Sequence, residues 1–294
     1  MATTIEAVAV AVASGRWPSR RSARRLADDA IRASVARAGV TTGDIDLLLN
    51  AGLYRDRILG EPALAALIQA DVGANPEDPH EGGHGTFSFD VANGACGPLT
   101  ALQIADGFLR TGTIRRALVV ASDADPGRGL AKRFPFAASG AAAVCRWDEG
   151  AGGLVGFRWE TAPEDADLLR ARVGFERGRN LLRIEEDPAF GERAAAWVGK
   201  AAAALLDDHG LRPGDIDLVV PSPLAARFLQ ALPAHLGVAG DRLVAVPGAG
   251  RVHTAALLVA LAAAQEQGRL GEARRVLLVS AGAGIVAGAA LLVR

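Results

Sequence analysis

Two cysteines and five histidines supply the chain's thiol nucleophiles and imidazole bases, and one of each stands where a helix begins. Cys96, in FSFDVANGACGPLTALQIADGFLR, follows a strand-like stretch and opens an apolar helix. The first N–H groups of a helix lack intrahelical partners and carry partial positive charge, so a thiol among them is favoured as the thiolate. The same position also suits a small buried residue at a tight junction. His253 heads a second apolar helix, HTAALLVALAAA. An imidazole facing the thiol would accept its proton, which makes a reactive pair of the two.

Other motifs carry less chemistry. His80-Glu81-Gly82-Gly83-His84 spells the HExxH of zinc proteases, but that chemistry needs a helix, and Pro79, the internal glycines and Gly85 oppose one. No metal is expected. Gly282 and Gly284 in VLLVSAGAGIVAG have the spacing of a dinucleotide fingerprint, yet the following helix, second strand and acidic ribose ligand have no room before Arg294. A glycine turn between adjacent strands fits better. Cys145, in AAAVCRW, reads as core. Arg16, Arg20, Arg21, Arg24 and Arg25 surround Trp17. They suit either a CoA site, with guanidiniums on phosphate and indole on adenine, or a solvated helix face.

The elements that must position Cys96 and His253 follow from an internal repeat. GVTTGDIDLLL from Gly39 recurs as GLRPGDIDLVV from Gly210, GTIRRALVVAS from Gly112 as GEARRVLLVSA from Gly271, and GAAAVCRW from Gly140 as GAALLVR from Gly288. Each half reads strand, helix, strand, helix, strand, helix, strand, strand. This is an α/β fold of two duplicated βαβαβαββ halves, residues 1–150 and 151–294, each with a five-stranded mixed sheet. The polar stretch 160–180 reads as a surface excursion with no core pattern. Cys96 lies 19 residues before Arg115 and His253 lies 21 before Arg274, so a pseudo-twofold axis brings the two helix starts together.

Composition bounds the function. With 294 residues, 50% hydrophobic and 22% charged, the chain can bury a large core. Lys plus Arg number 32 against 33 Asp plus Glu, which leaves no global basic field for nucleic acid. The longest apolar run, 254–264, is far short of a membrane span. IEAVAVAVAS alternates, contains Glu6 and lacks a basic leader. Two cysteines make no disulfide framework, and a reducing cytoplasm is expected.

Three segments carry a resemblance to a known family. FDVANGACG, GDIDLVVPSPLAARFLQALPAHLG and RRVLLVSAGAGIVAGAALLVR resemble the nucleophile segment, the VPHQAN segment and the C-terminal glycine strand of the thiolase superfamily, in its 3-oxoacyl-ACP synthase III branch. The resemblance implies a thiolase-like fold in five layers, α-β-α-β-α, and dimerisation through the strand Phe87 to Val91. It also implies acyl transfer from a CoA or acyl-carrier-protein thioester onto Cys96, with that thioester as substrate and no bound cofactor. It places Ser222 where the family has the histidine of HQAN, and Arg251 or, with a two-residue shift, His253 where the family has its asparagine. Gly284 falls on the last glycine of the turn and would complete an oxyanion hole with the Cys96 N–H, while Arg227 falls on a carrier-protein contact. Trp17, Arg20 and Arg21 lie in GRWPSRRSARR, which replaces a long excursion of the family's substrate tunnel. Ser222 is no strong or cationic donor, so decarboxylative condensation is not expected of the site. Two functions follow: an acyltransferase using Cys96, His253 and Ser222, or a catalytically degenerate subunit paired with an active paralogue.

Overall fold

The protein is described by a computed structural model covering residues 1–12, 22–55, 58, 60–75, 85–127, 129–131, 133–150, 152–176, 178–222, 226–248 and 250–294. The first half runs β1 (Ala2–Val12), α1 (Ala23–Ala38), β2 (Leu47–Asn50), α2 (Leu64–Val72), β3 (Phe87–Asp90), α3 (Gly97–Arg110), β4 (Arg116–Asp123) and β5 (Ser139–Asp148). The second runs β6 (Gly153–Thr161), a hairpin of β7 (Leu169–Glu176) and β8 (Arg179–Glu186), α4 (Phe190–Asp208), β9 (Leu218–Pro221), α5 (Ala226–Leu236), α6 (Ala256–Glu266), α7 (Arg269–Glu272), β10 (Arg275–Gly282) and β11 (Val286–Val293). The strand order is β3-β2-β4-β5-β1-β6-β11-β10-β9. The two halves of this sheet meet at a single β1–β6 pair, Thr3 with Leu154.

Period-2 alternation along apolar strands builds the layers. Leu47 and Leu49 of β2, and Leu218 and Val220 of β9, face one shared central core with α3 and α6. The intervening Leu48 faces α1 and α2, whereas Val219 faces α4 and α5. The result is α1/α2, sheet, α3/α6, sheet, α4/α5. Helix α6 is apolar all round because it occupies the middle of this sandwich, where Leu257, Leu258 and Leu261 are fully buried. No helix among the described residues is long and apolar enough to cross a membrane.

The repeated motifs have a physical cause. Asp44 and Asp215 accept the backbone N–H groups of Thr41 and Arg212, each at 2.8 Å, and close the turn before their strands. Asp46 then accepts Arg115 N and Arg116 N at 2.7 and 2.8 Å, and Asp217 accepts Arg274 N and Arg275 N at 3.0 and 2.8 Å. GDID and the later Arg pair are thus two ends of one clamp, which pins β2 beside β4 and β9 beside β10.

One expectation needs correction. The fifth strand of the second half is reduced to a single bridge, Leu243 with Val219. The bridge rests on Val244 N donating to Val219 O at 2.9 Å, before Pro247 and Gly248 turn the chain away. Stretch 160–180 lies at the surface, as the sequence suggests: in β7, Ala171, Val173 and Phe175 are exposed although they alternate with polar neighbours, and β8 pairs with it so that Leu182 stands opposite Val173. Leu169 and Leu182 are buried, and Leu182 N bonds Leu130 O at 2.7 Å, tying the hairpin to the first half.

Candidate active site

Cys96 ends a short 3-10 turn, Gly94–Cys96, immediately before α3. Gly94 has φ 50°, a left-handed conformation suited to glycine. Asn93 donates to Thr100 Oγ1 at 2.9 Å, Thr100 Oγ1 donates to Cys96 O at 3.1 Å, and Ser280 of β10 donates to Ala95 O at 2.7 Å. Both halves therefore hold the turn. The thiol is fully buried and donates to Val286 O at 3.2 Å.

Burial pushes the Cys96 thiol up to about 12, with the Ser280 hydroxyl pulling weakly the other way. The thiolate expected from the helix start is not the resting form. A helix terminus contributes about 0.3–1 kcal/mol to a charge, whereas desolvation of a fully buried group shifts its pKa by up to 3–5 units. Desolvation wins. Cys145 of β5 is equally buried and likewise stands at about 12.

His253 lies three residues before α6, in a turn closed by Ala256 N to His253 O at 3.1 Å. Its ring is stacked on Phe136 at 4.3 Å and on Tyr54 at 5.3 Å between centroids. Burial lowers its pKa, Asp123 works against that, and Arg251 adds to the lowering, so the imidazole rests neutral. The two turns meet as the pseudo-twofold axis requires: a Cβ built on Gly94 would lie 3.9 Å from His253 Cε1. Among the described residues no hydrogen bond joins Cys96 to His253.

Ser222 follows β9, with its N–H on Val279 O at 2.8 Å. It is fully buried and its hydroxyl has no hydrogen-bond partner among the described residues. It stands beside Ser280, which holds the Cys96 turn, without bonding to either Cys96 or His253. Gly284, φ 77°, occupies the β10–β11 turn with no heavy atom within 4 Å of a built Cβ. The glycine beside the thiol is instead Gly282, whose built Cβ would lie 3.6 Å from Cys96 Sγ and 3.7 Å from Ala95 N.

Arg251 pairs with Glu186 of β8 and lies over the Phe136 ring at 5.2 Å, so it ties the hairpin to the His253 turn. Arg227 is exposed and donates to Pro188 O at 3.3 Å. Arg24 pairs with Asp71. Trp17, Arg20, Arg21 and the His80–His84 motif lie outside the described residues.

One residue that sequence reasoning passed over, Asp123, belongs to the candidate site together with Gly282 of the expected glycine turn. Asp123 and Gly282 end equivalent strands, RALVVASD and RVLLVSAG. Asp123 meets the turn before α6, where Thr254 N and Oγ1 donate to it, and Gly282 meets the turn before α3. Alignment of the two repeats to their last residue exposes both.

A cavity of about 420 Å³ adjoins the site, lined by Leu53, Tyr54, Val91, Ala92, Val173 and Leu182 among others. Tyr54 forms part of its wall and stacks on His253. The volume suits a small-molecule pocket, and the lining is mainly apolar. A larger cavity of about 560 Å³, lined by Ile5, Leu261 and Leu292 among others, contains none of the candidate residues. It lies toward the far end of α6, so size does not locate the chemistry.

Known proteins share this fold. Residues 206–294 match the family described as 3-oxoacyl-[acyl-carrier-protein (ACP)] synthase III C terminal. The chain is 28% identical over 281 residues to beta-ketoacyl-[acyl-carrier-protein] synthase III of Thiobacillus denitrificans, covering 91% of this chain and 82% of that protein. It is 29% identical over 278 residues to the protein of the same description from Rhodospirillum centenum, with the same coverage. In structure it resembles 3-oxoacyl-[acyl-carrier-protein] synthase III from Aquifex aeolicus, with a TM-score of 0.83 at 20% identity over 99% of this chain and 100% of that one. It also resembles Xanthomonas campestris OleA crystallised with lauric acid and lauroyl-CoA, with a TM-score of 0.83 at 19% identity over 100% and 99%. The chain thus has the fold of these solved structures, and its residues 206–294 match the C-terminal part of the 3-oxoacyl-[acyl-carrier-protein] synthase III family.

Proposed function

We propose that the protein is an acyltransferase of the condensing-enzyme type, which receives an acyl group from a CoA or carrier-protein thioester on Cys96 and passes it to a second nucleophile. The supporting observation is the meeting of the Cys96 and His253 turns at Gly94, beside an apolar cavity suited to an acyl chain. The neutral imidazole would take the thiol proton as Sγ leaves Val286 O and attacks the thioester carbonyl. The carrier's sulfur would then depart with that proton, leaving an acyl thioester on Cys96. The Cys96 N–H is taken up by Asn93 O at 3.0 Å, so it could serve the oxyanion expected of Cys96 and Gly284 only if that bond were released on acylation. No cofactor is needed beyond the CoA or phosphopantetheine arm of the substrate. The N- and C-terminal halves, residues 1–150 and 151–294, would contribute the thiol and the imidazole respectively. We place this chemistry in the cytoplasm, on a dimer formed through β3, an edge strand with Phe87 61% exposed.

A specific observation favours a second reading. The closed, protonated thiol and an unpartnered serine at the family's histidine position would also suit a degenerate subunit that shapes a paralogue's pocket. Intact-protein mass spectrometry after incubation with a panel of acyl-CoA and acyl-carrier thioesters separates the two. An acyl adduct on the wild type but not on Cys96→Ala supports the transferase. No adduct, with or without a paralogue present, leaves only the subunit.

A further inference from the structure

Asp123 is fully buried at the end of β4. One of its oxygens accepts Leu53 N at 3.2 Å and Tyr54 N at 2.8 Å, and the other accepts Thr254 N at 2.8 Å and Thr254 Oγ1 at 2.7 Å. We propose that Asp123 is the positioning residue of the His253 base: a single carboxylate holds both the turn that carries the imidazole and the turn that carries the Tyr54 ring stacked upon it. The proposal rests on the transferase reading for the imidazole's role, but its evidence is independent of any substrate.

Three observations separate this role from ordinary packing. First, the pseudo-symmetric strand end carries Gly282, and the turn before α3 forms there without a carboxylate. The architecture therefore does not require one. Second, among the described residues no lysine or arginine pairs with Asp123, and the donors that meet its charge there are the N–H groups of Leu53, Tyr54 and Thr254 and the Thr254 hydroxyl. A buried charge of this kind costs several kcal/mol unless its surroundings compensate. Third, the groups facing His253 have opposing effects. Asp123, from β4, favours the imidazolium; Arg251, from the same turn, opposes it; and Tyr54, a neutral phenol, is itself pushed further toward its protonated form by burial and by Asp123. The carboxylate is thus placed to preserve proton affinity in an imidazole that burial would otherwise make a poor base.

The test follows the His253 ring by NMR in histidine-labelled protein, with the resonance assigned by its loss in His253→Gln. Asp123→Asn keeps the shape but removes the charge, and it should lower the pKa of His253 by about one unit or more, at least a tenfold loss of proton affinity. Thr254→Val removes one donor and leaves the carboxylate less neutralised, so it should raise that pKa. A purely structural role would loosen both variants and shift them in the same direction. An unchanged or raised pKa in Asp123→Asn overturns the proposal, as does a Thr254→Val pKa that fails to rise; the second variant decides if the first does not fold. A wild-type imidazole that stays neutral down to acid unfolding overturns it too. If the transferase reading holds, the acid limb of the pH profile for acyl loading in Asp123→Asn moves in step with the NMR value. If wild type never acylates, that reading fails while the titration still decides the role of Asp123.

Discussion

Iodoacetamide should discriminate poorly between the two cysteines of the native protein. With each pKa near 12, the thiolate fraction at pH 7 is about 10⁻⁵, against about 3% for a free thiol of pKa 8.5. Alkylation should therefore be about three thousand times slower than for the unfolded chain, before any allowance for access, at Cys96 and Cys145 alike. Peptide-resolved mass spectrometry of timed alkylation, native and in denaturant, measures both rates in one sample. Stability carries the same signature. The folded pKa lies above the unfolded one, so the stabilising contribution is complete below about pH 8.5 and is lost as pH rises toward 12. At pH 10 the loss is about 2 kcal/mol per thiol, relative to neutral pH. Cys96 reacting at the rate of a free thiol while Cys145 stays silent would refute the argument that desolvation overrides the helix start, and would show a resting thiolate.

Gly282→Ala should leave stability within about 1 kcal/mol, since its backbone is not left-handed and the new Cβ makes only 3.6 Å contacts. It should nevertheless cut acyl loading of Cys96 severalfold by filling the space beside Sγ; unchanged loading in the intact-mass assay would count against that space being used. Gly284→Ala, at φ 77° in open surroundings, should instead cost about 1–2 kcal/mol of backbone strain by urea denaturation. Burial and the neighbouring Asp71 raise the Asp28 carboxyl to about 7, so its stabilising share is full below about pH 4 and is lost as pH rises through 7. Asp28→Asn should accordingly gain roughly 1–3 kcal/mol at pH 8 and little at pH 4. Ser222→Ala, which removes a buried hydroxyl with no partner, should be neutral or stabilising by up to about 1 kcal/mol. Labelled malonyl-carrier protein should release carbon dioxide far more slowly than Cys96 is acylated, because no cationic donor stands at Ser222; comparable rates would defeat that expectation.

The fold was legible in the sequence wherever local chemistry decided it. Alternation along LLLN and LVVP assigns opposite faces of each strand to different cores. Asp46 and Asp217 recur because each clamps the Arg pair that begins the next parallel strand of the sheet. The hairpin 169–186 lies at the surface, where Val173 and Phe175 are exposed, and its arginines raise the mean polarity enough to mask the period of two kept by Leu169, Ala171 and Val173. The missing fifth strand turned on one parallel bridge at Leu243, a tertiary outcome that no local pattern in RLVAVPGAG declares.

At the site, position was legible and orientation was not. That Cys96 begins a helix follows from its neighbours, but its thiol is turned toward Val286 O, 190 residues away in the chain, and no local rule supplies that partner. The duplication nevertheless frames what remains. Two equivalent strand ends face two equivalent helix starts, and the chain fills them in opposite ways: Gly282 beside the thiol, where space would admit a substrate oxygen, and Asp123 beside the turn of the imidazole, where a charge would tune a base. If burial alone governed this centre, an uncharged group at Asp123 would be the less costly choice, since a buried carboxylate without a cation gains less than it loses on desolvation. The asymmetry therefore favours a site organised for proton transfer over one that merely packs two halves together.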